Sequence, residues 1–147
     1  DGRILTFGGS TITESGLPKY LDDLRQLDTE SMIWSRPRLN GNIPTARYGH
    51  SAILLENDVI GIFGGWGRGG CQSSEHISNP NAHSVHYFDV KTMSWIVPSK
   101  TGKKEMRHLY NHGACRSGSA MLCFGGFDGR QATNEFVVIN MDIGDVY

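Results

Sequence analysis

The sequence lacks long apolar segments and an excess of charge of either sign. Its longest apolar runs are much shorter than the roughly 18 residues of a transmembrane helix; they are Ala52–Leu55, Met121–Phe124 and Phe136–Ile139. Fourteen basic and fifteen acidic residues give a net charge of −1. This balance argues against a nucleic-acid binder, which needs a basic face to neutralise phosphates. It also argues against a polybasic membrane anchor.

Paired cysteines are lacking as well. The three cysteines, Cys71, Cys115 and Cys123, are an odd number with no Cys-x-x-Cys, whereas a secreted disulfide scaffold needs an even, dense set. This usage favours a reducing compartment, and we expect a cytoplasmic location. A turn at Ser117–Ser119 would place Cys115 opposite Met121. Cys115 and Cys123 would then lie on the same face of two paired strands. That arrangement favours buried free thiols and leaves a disulfide as the alternative.

Glycine, in contrast, is abundant, with 19 residues of 147, about twice its usual share. The string Phe-Gly-Gly occurs three times, each time after a short apolar run, and the first glycines are 56 and 61 residues apart. Glycine at a strand end permits a positive φ and a sharp turn away from the sheet. The repeated pairs are Gly8-Gly9, Gly64-Gly65 and Gly125-Gly126. No nucleotide-binding glycine motif is present, so we assign these pairs to turns.

Other landmarks repeat in step with the glycine pairs. Trp34 and Trp95 each lie six residues after an aspartate, and His50 and His112 lie 14 and 13 residues before the second and third pairs. Repetition in equivalent positions favours structural roles for these four residues. Each unit is therefore interpreted as four short strands, a to d. Strand a begins at the histidine, strand b ends at the glycine pair, strand c follows, and strand d carries the tryptophan.

One segment allows a second interpretation. Leucines and a tyrosine between Leu17 and Leu27 are also spaced for one face of a helix. The repeat alignment assigns a strand to Leu24–Leu27, and we keep the strand. We predict an all-β protein with no helix longer than about two turns.

The order of these features resembles the kelch repeat of β-propellers. In the middle unit the matching residues are Arg47, His50, Gly64-Gly65, Tyr87 and Trp95. The resemblance implies four-stranded antiparallel blades: a partial blade in residues 1–36, a complete blade in residues 37–98 with a long b–c loop at 66–83, and a partial blade in residues 99–147. Departures from the pattern are Gln26 where the middle unit has Tyr87, and Val146 where a tryptophan is expected.

Three blades are too few for an ordinary closed ring. The chain also begins with Asp1-Gly2 rather than Met, and we interpret it as a fragment or processed piece that forms an arc of a larger propeller. The end blades should then expose apolar faces. The outward residues are expected among Leu5, Phe7, Leu24 and Leu27 at one end, and among Phe136, Val138 and Ile139 at the other. Which alternate residues face outward is left open.

The resemblance also implies a binding rim, because the b–c and d–a loops of kelch propellers commonly form one surface. The rim positions carry residue types enriched at protein–protein hot spots. They are Ser10, Arg47, Tyr48, Trp66, Arg68, Arg107, Tyr110, Phe127 and Arg130. We predict a non-catalytic interaction scaffold for a protein or peptide partner, with no cofactor, no metal, no nucleic acid and no membrane.

Two other functions stay open. Propellers also host enzymes and sugar-binding sites, and Trp66 could stack on a sugar. Cys71, His76, His83 and His86 are metal ligands in kind, but their spacing matches no compact zinc motif. A purely structural role, as an assembly module within a large complex, is the third possibility.

Overall fold

The computed structural model describes residues 2–67, 85–96 and 109–141. Twelve strands are present in these ranges: β1 (Arg3–Phe7), β2 (Ser10–Ile12), β3 (Pro18–Tyr20), β4 (Leu24–Asp28), β5 (Ile33–Ser35), β6 (Arg47–Leu54), β7 (Val59–Gly67), β8 (His86–Asp89), β9 (Ser94–Ile96), β10 (Gly113–Ser117), β11 (Ala120–Phe124) and β12 (Phe136–Asn140). The one helical element of the described residues is a 3-10 turn at Glu56–Asp58. The all-β prediction is confirmed, and no described helix could span a membrane.

The strands form three antiparallel sheets and one hairpin. The middle sheet has four strands in the order β6-β7-β8-β9, and the flanking sheets have the orders β1-β4-β5 and β10-β11-β12. The described strands of the first sheet correspond to b, c and d, and those of the third to a, b and c. The helical alternative at Leu17–Leu27 is excluded, because Pro18–Tyr20 and Leu24–Asp28 are strands. The sequence did not predict the hairpin β2-β3, which lies between strands b and c of the first unit.

Each blade packs one face on its neighbour. In the middle sheet Ile60, Phe88 and Trp95 lie opposite one another on adjacent strands and share one face. They pack against Leu24, Leu5 and Phe7 of the first sheet. The other face, with Phe63 and Tyr87, packs against the third sheet. Alternation along the strands sends successive side chains to opposite faces, so the middle blade is buried on both.

The glycine pairs join consecutive blades through the backbone. Gly64 has a φ of +73°, and a β-carbon there would collide with the carbonyl oxygen of Leu109 in the next blade. The N–H of Gly65 donates a hydrogen bond to that same oxygen at 2.9 Å, just as the N–H of Gly9 donates to the carbonyl of Arg47 at 2.8 Å. Glycine is required here because the backbones of two blades approach too closely for a side chain.

The two repeated histidines occupy equivalent places between blades. The His50 ring lies 5.6 Å from Phe7 of the preceding blade, and the His112 ring lies 5.3 Å from Phe63. His112 is buried and His50 is half-buried. Each histidine thus packs on the phenylalanine that begins the Phe-Gly-Gly of the blade before it.

The tryptophans, by contrast, are not equivalent in exposure. Trp95 is buried, with its ring 4.9 Å from Phe7 of the preceding blade, whereas Trp34 is 52% exposed. Trp34 lies on the face of the first blade that points away from the middle blade. Among the described residues, no phenylalanine of a preceding blade lies against Trp34.

The end faces carry alternate residues of the expected sets. Phe136 and Val138 are exposed at the far end, as expected, but Ile139 is buried against the middle blade. At the near end Leu5, Phe7 and Leu24 face the middle blade. The sequence left the strand parity open, and the structure decides it. The outward side of the first blade carries Leu27 together with Ile4 and Trp34, which lie opposite one another in register.

The cysteine geometry also differs from the prediction. Cys115 lies opposite Leu122, and Cys123 lies opposite Ala114, so the two thiols are on opposite faces of the sheet. Both are free; Cys115 is exposed and Cys123 is buried. Burial, and then the neighbouring Cys115, raises the pKa of Cys123 to about 11. The third cysteine, Cys71, lies outside the described residues.

Candidate partner-binding rim

Four of the nine predicted rim residues meet at one end of the blades. Tyr48 on β6 lies opposite Trp66 on β7. Tyr110 forms a bridge with Phe127, with reciprocal N–H to carbonyl hydrogen bonds of 3.1 and 2.9 Å. These pairings hold Tyr48 and Trp66 within paired strands, and they hold Tyr110 and Phe127 in an isolated bridge outside the strands.

The rings form a continuous row, which we call the aromatic ladder: Tyr20, Tyr48, Trp66, Tyr110 and Phe127. Tyr20 and Tyr48 stack at 5.6 Å with only 8° between their planes. Tyr48 contacts Tyr110 edge-on at 6.1 Å. Tyr110 in turn lies 4.9 Å from Trp66 and 5.4 Å from Phe127. All five rings are half-buried, so each packs on a neighbour and keeps one part at the surface.

Tyr20 is the member of the ladder that sequence reasoning missed. It is carried by the β2-β3 hairpin, where it pairs with the predicted rim residue Ser10. The insertion between strands b and c of the first unit was the available signal, because b–c loops form the rim in this kind of repeat. The spacing of Leu17–Leu27 offered a helix only as an alternative, and no hairpin was predicted before Leu24.

Arg47 lies in the interior rather than at the rim surface. The side chain is 3% exposed and donates hydrogen bonds from Nη1 to the Gly64 carbonyl at 2.9 Å and from Nε to the Thr45 carbonyl at 3.0 Å. Its Nη2 also lies 3.1 Å from His86 Nε2. Burial lowers the pKa of Arg47 to about 10. The guanidinium therefore braces strands β6, β7 and β8 directly behind Tyr48.

The far end of the rim carries an exposed cation on a hydrogen-bonded turn. Arg130 is exposed, and its backbone N–H donates to Asp128 Oδ1 at 2.8 Å, as does the N–H of Gln131. These backbone donors, Gln131 first, lower the pKa of the Asp128 carboxyl. The turn places Arg130 three residues after Phe127. The remaining predicted cations, Arg68 and Arg107, lie outside the described residues.

The layer beneath the ladder is uncharged apart from Arg47. Burial, followed by the charge of Arg47, lowers the pKa of His50 to about 4, and burial lowers the pKa of His112. Within the described part of the chain, His50 Nδ1 and both ring nitrogens of His112 have no hydrogen-bond partner. Both rings are therefore neutral at pH 7 and act as packing groups.

The metal alternative finds no support among the described residues. They contain no group of three or more His, Cys, Asp or Glu side chains that could hold a metal ion. His86 Nε2 faces the Arg47 guanidinium, an unfavourable place for a cation. Cys71, His76 and His83 lie outside the described ranges.

Antiparallel sheets packed face to face, with strands ending in a shared rim, define an arc of a β-propeller. A solved structure titled "Structure of YjhT" shares this fold, with a TM-score of 0.71 at 16% identity, over 98% of this chain and 48% of that one. The family model described as the KLHDC2/KLHL20/DRC7 Kelch-repeats domain matches residues 1–145.

Curated relatives agree with the family model. Human Kelch domain-containing protein 3 is 33% identical over 127 residues, which is 86% of this chain and 29% of that protein. Human Host cell factor 2 is 33% identical over 84% of this chain and 18% of that protein. The chain belongs to the Kelch-repeat family, whose domains commonly mediate protein–protein interactions, and it spans less than a third of the length of these relatives.

Proposed function

We propose that the chain is a non-catalytic interaction scaffold whose aromatic ladder binds a protein or peptide partner. The observation that carries the proposal is the ladder itself. Five half-buried rings from three consecutive blades form one contiguous surface. Large rings supply contact area at a low cost in side-chain entropy, and Tyr, Trp and Arg dominate interface hot spots.

The rigidity of the support favours binding over catalysis. The rings are fixed by strand pairing, by stacking on one another and by the buried Arg47 behind them. No step of acid–base or nucleophilic chemistry is needed to explain why these residues lie together. A prearranged surface loses less conformational freedom when the partner binds.

The orientation of the rings further favours an extended ligand. The ladder runs from the first blade to the third, so its long axis crosses the blades, and Arg130 lies at one end of it. A linear peptide could contact successive rings along this path, with an acidic side chain near Arg130. The free state of Cys115 and Cys123 supports the cytoplasmic location that we propose for this activity.

The test begins with a random peptide-display library selected on the immobilised chain. The affinity of the enriched peptides is then measured by calorimetry for the wild type, Tyr48→Ala and Tyr110→Ala, with Ile12→Ala as the control. Ile12 is also exposed, but it is not part of the ladder. We expect the tyrosine variants to weaken binding about tenfold or more, as hot-spot truncations do, and Ile12→Ala to leave it unchanged.

Two results would contradict the proposal. One is a selection that enriches no peptide. The other is a set of peptides that bind all variants equally. A glycan array probed with the same proteins tests the sugar-binding alternative, since a glycan that needs Trp66 and Tyr110 would assign the ladder to carbohydrate.

A further inference from the structure

The backbone beneath the ladder is already engaged in hydrogen bonds. Tyr48 pairs with Trp66 across β6 and β7, and Tyr110 exchanges two backbone hydrogen bonds with Phe127. The hairpin strand β3 begins with Pro18, which lacks an N–H and so weakens that strand as a pairing edge. A ligand at the ladder therefore meets side chains rather than an unpaired strand.

The outer edge of β6 beside Tyr48 is occupied as well. The N–H of Arg47 donates a hydrogen bond to the Leu21 carbonyl at 3.0 Å, and the N–H of Asn111 donates to the Gly49 carbonyl at 2.8 Å. Both neighbouring blades thus use the backbone on either side of Tyr48. Addition of a peptide as a further β-strand requires a free edge, and this edge is not free.

The ladder presents hydroxyl groups together with its ring faces. Within the described part of the chain, the hydroxyls of Tyr20 and Tyr48 make no hydrogen bond. Neither oxygen is among the buried polar atoms that lack a partner, so both reach the surface. A tyrosine in this position contacts an apolar group with its ring and donates a hydrogen bond to a carbonyl oxygen with its hydroxyl.

This combination of groups is complementary to a peptide in the polyproline II conformation. Such a peptide has no internal hydrogen bonds, so its carbonyl oxygens are free to accept from hydroxyl donors. Proline has no N–H and therefore needs no acceptor from the protein. Aromatic surfaces are established receptors for peptides of this kind.

The spacing of the rings suits the same conformation. The ring centroids of Tyr20 and Tyr48 are 5.6 Å apart, those of Tyr48 and Tyr110 are 6.1 Å apart, and those of Tyr110 and Phe127 are 5.4 Å apart. A polyproline II helix rises about 3.1 Å per residue, so two of its residues span about 6 Å. Each step along the ladder therefore corresponds to about two residues of the ligand.

The charge at one end of the ladder gives the ligand a direction. Arg130 is exposed and follows Phe127 by three residues. A guanidinium forms charge-assisted hydrogen bonds with a carboxylate. A ligand with an acidic residue at one end is therefore favoured in the orientation that brings this residue to Arg130.

Building on the binding function proposed above, we propose that the ladder binds a proline-rich segment in the polyproline II conformation, with an acidic residue at the end nearest Arg130. Proline rings contact the aromatic rings, and the hydroxyls of Tyr20 and Tyr48 donate to ligand carbonyls. Both the ladder and the ligand are ordered before they meet, which lowers the entropic cost of binding.

Two peptide-display libraries of equal size provide the probes, one with a fixed Pro-x-x-Pro core and one from which proline is excluded. Both are selected on the immobilised chain, and affinities are measured by calorimetry. We expect ladder binders from the first library alone, at least tenfold weaker when their core prolines become alanine. Tyr48→Phe, which keeps the ring and removes the hydroxyl, should weaken binding about fivefold. The control Leu17→Ala, exposed on the same hairpin as Tyr20, should leave it unchanged.

The position of the acidic residue gives an independent readout. In each selected peptide the acidic residue is moved to the opposite end. This change should weaken binding to the wild type severalfold and leave binding to Arg130→Ala unaltered. Proline-free peptides that require Tyr48 and bind as tightly would overturn the polyproline assignment and leave the interaction scaffold in place. If neither library yields a peptide that requires the ladder, both the assignment and the proposed function fall.

Discussion

A glycine-to-alanine comparison between blades measures how strongly the blades are coupled. Gly64 and Gly125 hold the same position in consecutive repeats, with φ values of +73° and +69°. A β-carbon at Gly64 would collide with the carbonyl oxygen of Leu109 and lie 2.8 Å from the His112 ring. At Gly125 the nearest atom, the Thr133 carbonyl oxygen, would be 3.4 Å away. The two substitutions therefore share the backbone strain and differ in the steric conflict with a following blade.

The magnitudes follow from these contacts. A left-handed conformation costs an L-residue about 1–2 kcal/mol, and this cost applies to both variants. Gly64→Ala additionally forces two backbones apart, at about 1–3 kcal/mol, and weakens the hydrogen bond from Gly65 to Leu109, worth about 1 kcal/mol. We expect Gly64→Ala to lower the free energy of unfolding by about 4 kcal/mol and Gly125→Ala by about 1–2 kcal/mol.

Urea unfolding followed by tryptophan fluorescence and by circular dichroism provides the measurement. The free energies are compared at equal slope, since a change in slope indicates a change in the unfolded or folded ensemble. Equal destabilisation by the two alanines would refute the reasoning, because it would mean that blade-to-blade contact adds nothing to the strain of a positive φ.

Three further predictions address pH, binding and thiol chemistry. The pKa of His50 is lowered to about 4 from 6.5, so below pH 6.5 the unfolded state binds more protons than the folded state. The free energy of unfolding should therefore fall as the pH decreases towards 4. His50→Asn should flatten this dependence in urea titrations at several pH values. Trp66→Ala combined with Arg68→Ala should weaken the binding of a selected peptide about thirtyfold, or about 2 kcal/mol, as measured by calorimetry. A large drop in melting temperature at unchanged affinity would instead place Trp66 in the core. Cys115 should react with a thiol reagent in the folded protein while Cys123, whose pKa is raised to about 11, reacts only on unfolding; equal rates by absorbance would contradict the described burial.

The strands of the repeat could be predicted because their signals are local. An apolar run that leads into a glycine pair specifies strand b, and β1, β7 and β11 all begin in this way. β1 and β11 end just before the pair as predicted, whereas β7 continues through it to Gly67. The same logic placed Leu24–Leu27 in a strand, against a competing helical spacing. Here the repeat outweighed the periodicity of a single segment, because long-range pairing with β1 supplies hydrogen bonds that a local pattern does not reveal.

Face assignments were less predictable, because they depend on register. The cysteine prediction assumed a three-residue turn at Ser117–Ser119, whereas Ser117 pairs directly with Ala120. Shifting the pairing by one residue turned Cys115 away from the face of Cys123. The exposure of Trp34 could not be deduced from the sequence either, since a tryptophan is buried only if a neighbouring blade covers it.

The ladder was partly predictable. The positions of Tyr48, Trp66, Tyr110 and Phe127 followed from the repeat, while the contacts among them required the curvature of the arc. Arg47 shows the limit of residue-type arguments. The residue type alone does not distinguish an exposed arginine from a buried one that joins strands. Only the neighbouring acceptors, here the Gly64 and Thr45 carbonyls, show which of the two Arg47 is.

The hydrogen bonds from the glycine pairs also bear on how such a surface can change in evolution. The carbonyls that accept from Gly9 and Gly65 belong to Arg47 and Leu109, and each immediately precedes a ladder tyrosine. The spacing of Tyr48 and Tyr110 is thus set by backbone hydrogen bonds at the residue before each tyrosine. These hydrogen bonds do not depend on the identity of either tyrosine side chain. Substitutions at these two positions can alter which partner is recognised while the distance between recognition points stays constant.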